Sequence, residues 1–236
     1  MSTKELKTKS GEVARPSFMD SGSTRGSEGV GIDDITIPRV DVLQALSPQR
    51  KKTNSEYIEG AEEGMLFNTV TKKLYGQSFT FVPVYFRKEY VIWKDRKEGG
   101  GFCGAFPSEQ EALNAMSDQD LNPEIHQISD TGQHFGLLVN DHESATPEIE
   151  EAVISMSRSK MKVSRQLNTM IRMAGGDRFE RAYTVASAEA QNNNGEEFFN
   201  ISVKQLGYVS EEVFKAAEVV YTAITAGTTD VSRKAS

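Results

Sequence analysis

The run Tyr85-Phe86-Arg87-Lys88-Glu89-Tyr90-Val91-Ile92-Trp93-Lys94-Asp95-Arg96-Lys97 interleaves aromatic and basic side chains and leads into Gly99-Gly100-Gly101. Rings offer bases a stacking surface and cations offer phosphates a charge, and a single-strand binder needs the two together. Tyr85, Phe86, Tyr90 and Trp93 are the candidate stacking residues here, with Arg87, Lys88, Lys94, Arg96 and Lys97 as candidate phosphate contacts. The competing reading is structural, with the rings filling a core and the cations solvated at strand edges. Trp93, flanked by Lys94 and Arg96, is the ring that a core explains least well. Side chains alternate along a strand, so the four rings cannot all face one groove.

A second cation set lies between Thr146 and Gly176. Thr146 as a cap, Pro147 at the first helical position, Glu148, Glu150 and Glu151 in the opening turns and Gly175-Gly176 at the end predict one long helix. At about 100° per residue, Arg158, Lys162, Arg165 and Arg172 fall on one narrow stripe, opposite Ile149, Val153, Met156, Val163, Leu167 and Ile171. Such a stripe can be an ordinary solvated face. The absence of acidic residues between Glu151 and Asp177 favours a phosphate-facing role, because surface helices usually mix signs. Lys160 falls inside the apolar stripe, so either the helix is interrupted around Ser155 to Ser159 or Lys160 points into a groove. The weak helix propensity of the serines favours the interruption.

Catalytic patterns are sparse. His126, His134 and His142 are the three histidines, with Asp130 and Asp141 among them, but their spacing matches no compact metal motif. The sequence contains neither a phosphate-binding P-loop nor a Gly-x-Ser-x-Gly elbow. Cys103, the single cysteine, has no local activating partner and excludes an intramolecular disulfide framework. These features predict binding without catalysis, with no metal and no cofactor.

The elements that must position these residues follow from periodicity. Met65 to Val70 and Gln77 to Phe86 read as strands around a turn, with Pro83 marking an edge or a bulge, and Tyr90 to Trp93 as a further strand. Ser108 and Glu111 have capping-box spacing for a helix through Met116. Glu124 to Ile128 and His134 to Val139 read as a hairpin around Asp130-Thr131-Gly132, and Phe179 to Ala188 with Glu197 to Leu206 as another around Asn192 to Gly195. Ser210 caps a last helix whose apolar stripe includes Val213, Ala217, Val220, Tyr221 and Ile224 and which ends at Gly227. The expected fold is α+β. Its antiparallel sheet, with a partly open five-stranded barrel of the oligonucleotide-binding type as one form, packs with the long helix and the C-terminal helix.

Residues 1–31 are Ser-, Gly-, Thr-, Lys- and Glu-rich, a composition that cannot repay the entropy of ordering, and are expected to be a disordered arm. A single binding domain is expected over 32–227 and a flexible tail over 228–236. The first ten residues lack the apolar core of a signal peptide, and no run approaches the roughly 20 apolar residues of a membrane span. With the lone thiol, this predicts a cytoplasmic protein, within an infected bacterial host if the resemblance below holds. A net charge of -7 argues against coating duplex DNA by bulk electrostatics, while a local basic face can still attract phosphate.

Ile37-Pro38-Arg39-Val40, the stretch from Phe81 to Tyr90 leading to Trp93, and the late hairpin with its Asn-Gly turn before a terminal helix resemble single-stranded DNA-binding proteins from the replication and recombination regions of tailed bacteriophages. The resemblance implies single-stranded DNA as partner, together with phage replication or recombination proteins and self-association. One departure is the end of the chain, Asp230 to Ser236, which lacks the acidic partner-recruiting tail of many such proteins. Two rival readings are a virion structural or assembly protein and a metal-dependent nuclease built on His and Asp.

Overall fold

Along the body, neighbouring residues fall into different apolar clusters, the mark of a sheet covered on both faces. The computed structural model describes residues 38–227 except 193, so the expected arm, the expected tail and the start of the expected domain lie outside the described residues. In chain order the elements are β1 (Arg39–Val42), β2 (Leu66–Asn68), β3 (Leu74–Gly76), β4 (Ser78–Lys94), β5 (Gly101–Phe106), α1 (Glu109–Asp118), β6 (His126–Val139), β7 (Ile149–Ser157), α2 (Met161–Ala174), β8 (Arg181–Gln191), β9 (Glu197–Tyr208) and α3 (Glu211–Thr225). The sheet runs β3-β2-β1-β7-β6-β4-β8-β9, with β5 beside β4. Every pairing is antiparallel except β1 with β7.

The sheet is open and strongly curled into a half-barrel, so the α+β expectation with a partly open, oligonucleotide-binding-like barrel holds, built from nine strands rather than five. The curl returns β9 to the neighbourhood of β1. There the Gln44 amide acts like a strand residue: its Nε2 donates to the Phe199 carbonyl at 2.7 Å and its Oε1 accepts the Phe199 N–H at 2.9 Å. Among the described residues no helix is long and apolar enough to cross a membrane.

Three sequence expectations are corrected. Residues 146–174 do not form one helix, because Ile149–Ser157 is a strand, Arg158–Lys160 a short 3-10 turn, and the helix starts at Met161. Ala152, Ile154 and Met156 share one cluster while Val153 joins another, an alternation of two that the helical caps concealed. Pairing with β6 on one side and β1 on the other overrides local propensity. Secondly, Asp130-Thr131-Gly132 is no turn. β6 passes straight through it, held in register by β4 from Thr80–Val139 to Lys94–His126. Thirdly, Ser78 to Phe86 and Tyr90 to Trp93, expected as separate strands, belong to the single strand β4, and the register shift between Pro83 and Tyr85 places the proline at a bulge in a central strand. The capped helices and the last hairpin stand where the sequence puts them: Ser108 and Ser210 accept N–H groups at the starts of α1 and α3, and β8 pairs with β9.

Each helix covers its own apolar cluster. Val163 and Leu167 of α2 pack on Phe81, Leu138, Ile154 and Tyr183, whereas Val213 and Ala217 of α3 pack on Val82, Leu137 and Ala182. Ala112 and Met116 of α1 cover Ile92. Two glycines of β6 permit close approach: a Cβ at Gly132 would lie 2.5 Å from Ser164 Oγ, and one at Gly136 would lie 2.3 Å from the Val82 carbonyl and 2.6 Å from the Phe81 ring. Between them, fully buried His134 bonds Ser164 Oγ through Nε2 at 2.8 Å, while Arg178 donates to Nδ1 at 3.0 Å and to Asn168 Oδ1 at 2.8 Å. The Arg178 bond makes Nδ1 the acceptor, so Nε2 carries the proton.

Gly136→Ala should destabilise the chain by about 1–3 kcal/mol in urea unfolding, because a backbone carbonyl cannot move aside cheaply. Burial, reinforced by the nearby Arg178 charge, pushes His134 down to about 3 from its ordinary 6.5. Between those values the unfolded chain binds a proton that the folded chain refuses, so stability should fall as pH drops from about 6.5, with His134 contributing about 1.4 kcal/mol per pH unit. His134→Gln removes that contribution, and its unfolding midpoint should vary less with pH over the same range than that of the unmodified protein.

Candidate nucleic-acid interface

The ends of β1, β4, β7 and β9 meet around a cleft of about 930 Å³. β4 supplies Trp93 and Lys94, and the turn after β7 supplies Arg158 and Lys160. Phe198 and Phe199 come from β9, and Arg39 and Asp41 from β1. Four cations, Arg39, Lys94, Arg158 and Lys160, thus face two carboxylates, Asp41 and Asp95, among three aromatic side chains. The local balance is positive on a chain whose total is -7.

Local backbone irregularities place these groups. The β4–β5 register shifts between Ile92 and Trp93, and a bulge re-aims the side chains beside it. Trp93 is half-buried, edge-on to Phe102 at 5.8 Å between ring centres, and lines the cleft. Gly101 and Gly104 in β5 sit at φ 138° and 151°, so this crossing depends on glycine. At the end of β7 the chain turns through Arg158, a non-glycine residue in the left-handed region at φ 52°. Such residues cost energy and collect at functional sites. Of the two alternatives raised by Lys160, no helix is interrupted at Ser155 to Ser159, because a strand precedes the turn and the helix starts only at Met161; the Lys160 ammonium reaches into the cleft, 2.8 Å from Asp41 Oδ1.

A polar chain beneath the cleft fixes Arg39. Its guanidinium donates to Gln133 Oε1 at 2.9 Å and to the Ser155 hydroxyl, and Gln133 Nε2 donates to Glu89 Oε2 at 2.8 Å. Glu89, almost fully buried, pairs in turn with Arg87. The chain crosses β1, β7, β6 and β4, which are consecutive in the sheet.

Of the residues singled out in the sequence, Trp93, Lys94 and Arg158 are brought together in the cleft. Tyr85, Phe86, Arg87, Lys88, Tyr90, Lys97, Lys162, Arg165 and Arg172 lie outside its lining. Tyr85 packs on Phe135, Phe86 packs against both the His134 ring and the Arg178 guanidinium, and Tyr90 joins the cluster beneath α1. Arg87 is taken by Glu89. Lys88 lies over the Tyr90 ring, and Lys88 and Arg165 approach the same Asp130 carboxylate at 3.8 and 3.9 Å. Lys162, Arg165 and Arg172 are exposed along α2, and Arg96 and Lys97 belong to the 3-10 turn after β4.

The residues that sequence reasoning missed as site members are Arg39, Asp41, Phe198 and Phe199. Adjacent phenylalanines on a hairpin strand were an available signal, because alternation sends one of any such pair away from the core. The histidines are dispersed: His126 Nδ1 bonds the Asn122 carbonyl, His134 is buried on Ser164 and Arg178, and His142 lies near Gly207. Among the described residues no group of three or more His, Cys, Asp or Glu side chains could hold a metal ion.

No curated protein and no solved structure matches the chain. A family described as Pam3 phage gp34-like protein matches residues 8–230, nearly the whole length, so the chain belongs to the Pam3 phage gp34-like family and is a bacteriophage protein.

Proposed function

We propose that this phage protein binds single-stranded DNA during replication or recombination in the cytoplasm of the infected cell, holding it by stacking and phosphate contact without covalent chemistry. The observation that carries this reading is the meeting of Trp93, Phe198 and Phe199 with Arg39, Lys94, Arg158 and Lys160 around one cleft. Rings and cations on the same groove suit a flexible strand whose bases can turn outward. A stacked duplex hides its base faces, and the overall negative charge gives it no broad electrostatic footing. Lys162 and Arg165, exposed in the first turns of α2, offer a strand leaving the cleft further phosphate contacts.

The deciding measurement is a titration with single-stranded and duplex oligonucleotides at two salt concentrations. Retention of the single strand alone supports the reading. Assembly into large particles with no DNA retained at low salt would favour a virion structural role instead. Oligo-dT should quench Trp93 fluorescence, and Trp93→Ala should weaken binding by about 1–3 kcal/mol while cooperative thermal unfolding persists. Unfolding of that variant, with wild-type fluorescence blind to DNA, would make Trp93 a packing residue.

The cations should separate by position. Arg158→Gln should flatten the slope of log affinity against log salt by about 0.7, and adding Lys162→Gln and Arg165→Gln should bring the loss to about two units. Arg172→Gln should leave the slope unchanged, because Arg172 lies about 15 Å further along the helix than Lys162.

A further inference from the structure

The cleft contains an anion of its own. Asp41 lines it, and its Oδ1 stands 2.8 Å from Lys160 Nζ. The pair is lopsided: the Lys160 side chain is 22% exposed and that of Asp41 56%. The cation is therefore the seated partner and the carboxylate the one facing outward. Arg39, two residues earlier on β1, is tied into the Gln133 and Ser155 contacts, whereas among the described residues the side chain of Asp41 accepts from Lys160 and from the Val42 N–H. A carboxylate and a phosphate present an ammonium with the same kind of charged acceptor oxygen.

Resting on the single-strand reading above, we propose that Asp41 is a built-in competitor for phosphate at Lys160, holding that ammonium until a DNA phosphate displaces it. The half-exposed pair is weak, as ion pairs in water generally are, so it yields to a ligand already engaged elsewhere in the cleft. It does not yield easily to a free phosphate. Asp41 is tethered beside Lys160 at a high effective concentration, and a lone anion in solution has no such advantage. A strand bound through Trp93, Arg158 and Arg39 delivers its next phosphate to Lys160 on equal terms. The cleft is thereby selective for polymer over mononucleotide or inorganic phosphate, and it releases the strand faster than its number of cations would suggest.

The test is a double-mutant cycle read by fluorescence anisotropy of a labelled dT oligomer, with the full chain as wild type, Asp41→Asn, Lys160→Gln and the double variant. Asp41→Asn keeps the oxygen that accepts the Val42 N–H, and Asp41→Ser serves as a second variant should it fail to fold. Asp41→Asn should bind roughly two- to fivefold tighter than wild type, with a salt slope steeper by about 0.7. In the Lys160→Gln background the same change should have no effect. Inorganic phosphate at millimolar concentration should compete for DNA more effectively with Asp41→Asn than with wild type.

Equal tightening in both backgrounds would show a general field effect and overturn the competition. So would an unchanged affinity in Asp41→Asn while wild type binds DNA, an outcome that leaves the single-strand reading standing. Absence of DNA binding in wild type and Asp41→Asn alike would overturn both.

Discussion

The antiparallel pairing of β4 with β6 is the constraint on which the rest of the body depends. It runs without a turn from Thr80–Val139 to Lys94–His126, broken by one bulge after Pro83. β8 and β5 add to β4, β7 adds to β6, and β1 adds to β7. All three helices pack on residues of these two strands. The same pairing carries Trp93 and Lys94 to one end of the sheet, where the curl returns Phe198 and Phe199 to face them. Stability and the geometry of the cleft therefore share one scaffold, with the bulges at Pro83 and Trp93 setting which way the side chains point.

Polar groups buried across that scaffold do different work from the apolar clusters. Glu89 and Gln133 sit almost wholly out of water, linked to Arg87 on one side and to Arg39 and Ser155 on the other. Buried ionic groups are seldom a net source of stability, since desolvation offsets most of their attraction. Their value here is orientation. Arg39 reaches the cleft with its guanidinium already held by Gln133 and Ser155, so little side-chain freedom remains to it there.

Much of this was readable in the sequence, and the failures share one cause. Ser108, Ser210 and the Asn-rich turn before Gly195 declare α1, α3 and the last hairpin by local chemistry alone, and of the aromatic and basic run Trp93 and Lys94 line the cleft. Residues 149–157 carried local cues for a helix and became a strand because two distant strands claimed their backbone. Asp130-Thr131-Gly132 looked like a turn and was drawn straight by β4. The cleft was only half visible for the same reason. Arg39, Asp41, Phe198 and Phe199 are ordinary in their own neighbourhoods and acquire meaning when the curled sheet brings together segments more than 150 residues apart, as the Gln44–Phe199 bonds do.

That long reach across the chain has a consequence in time. Synthesis delivers β1 early, but its partner β7 emerges only after more than a hundred further residues, and Phe199 later still. Contacts between distant segments form slowly, because the intervening chain must first be ordered. The β8–β9 hairpin and the capped helices can take shape locally, whereas the Gln44 amide can clasp Phe199 only once the sheet between them has closed its curve. A chain that stops short of Phe199 therefore has no assembled cleft.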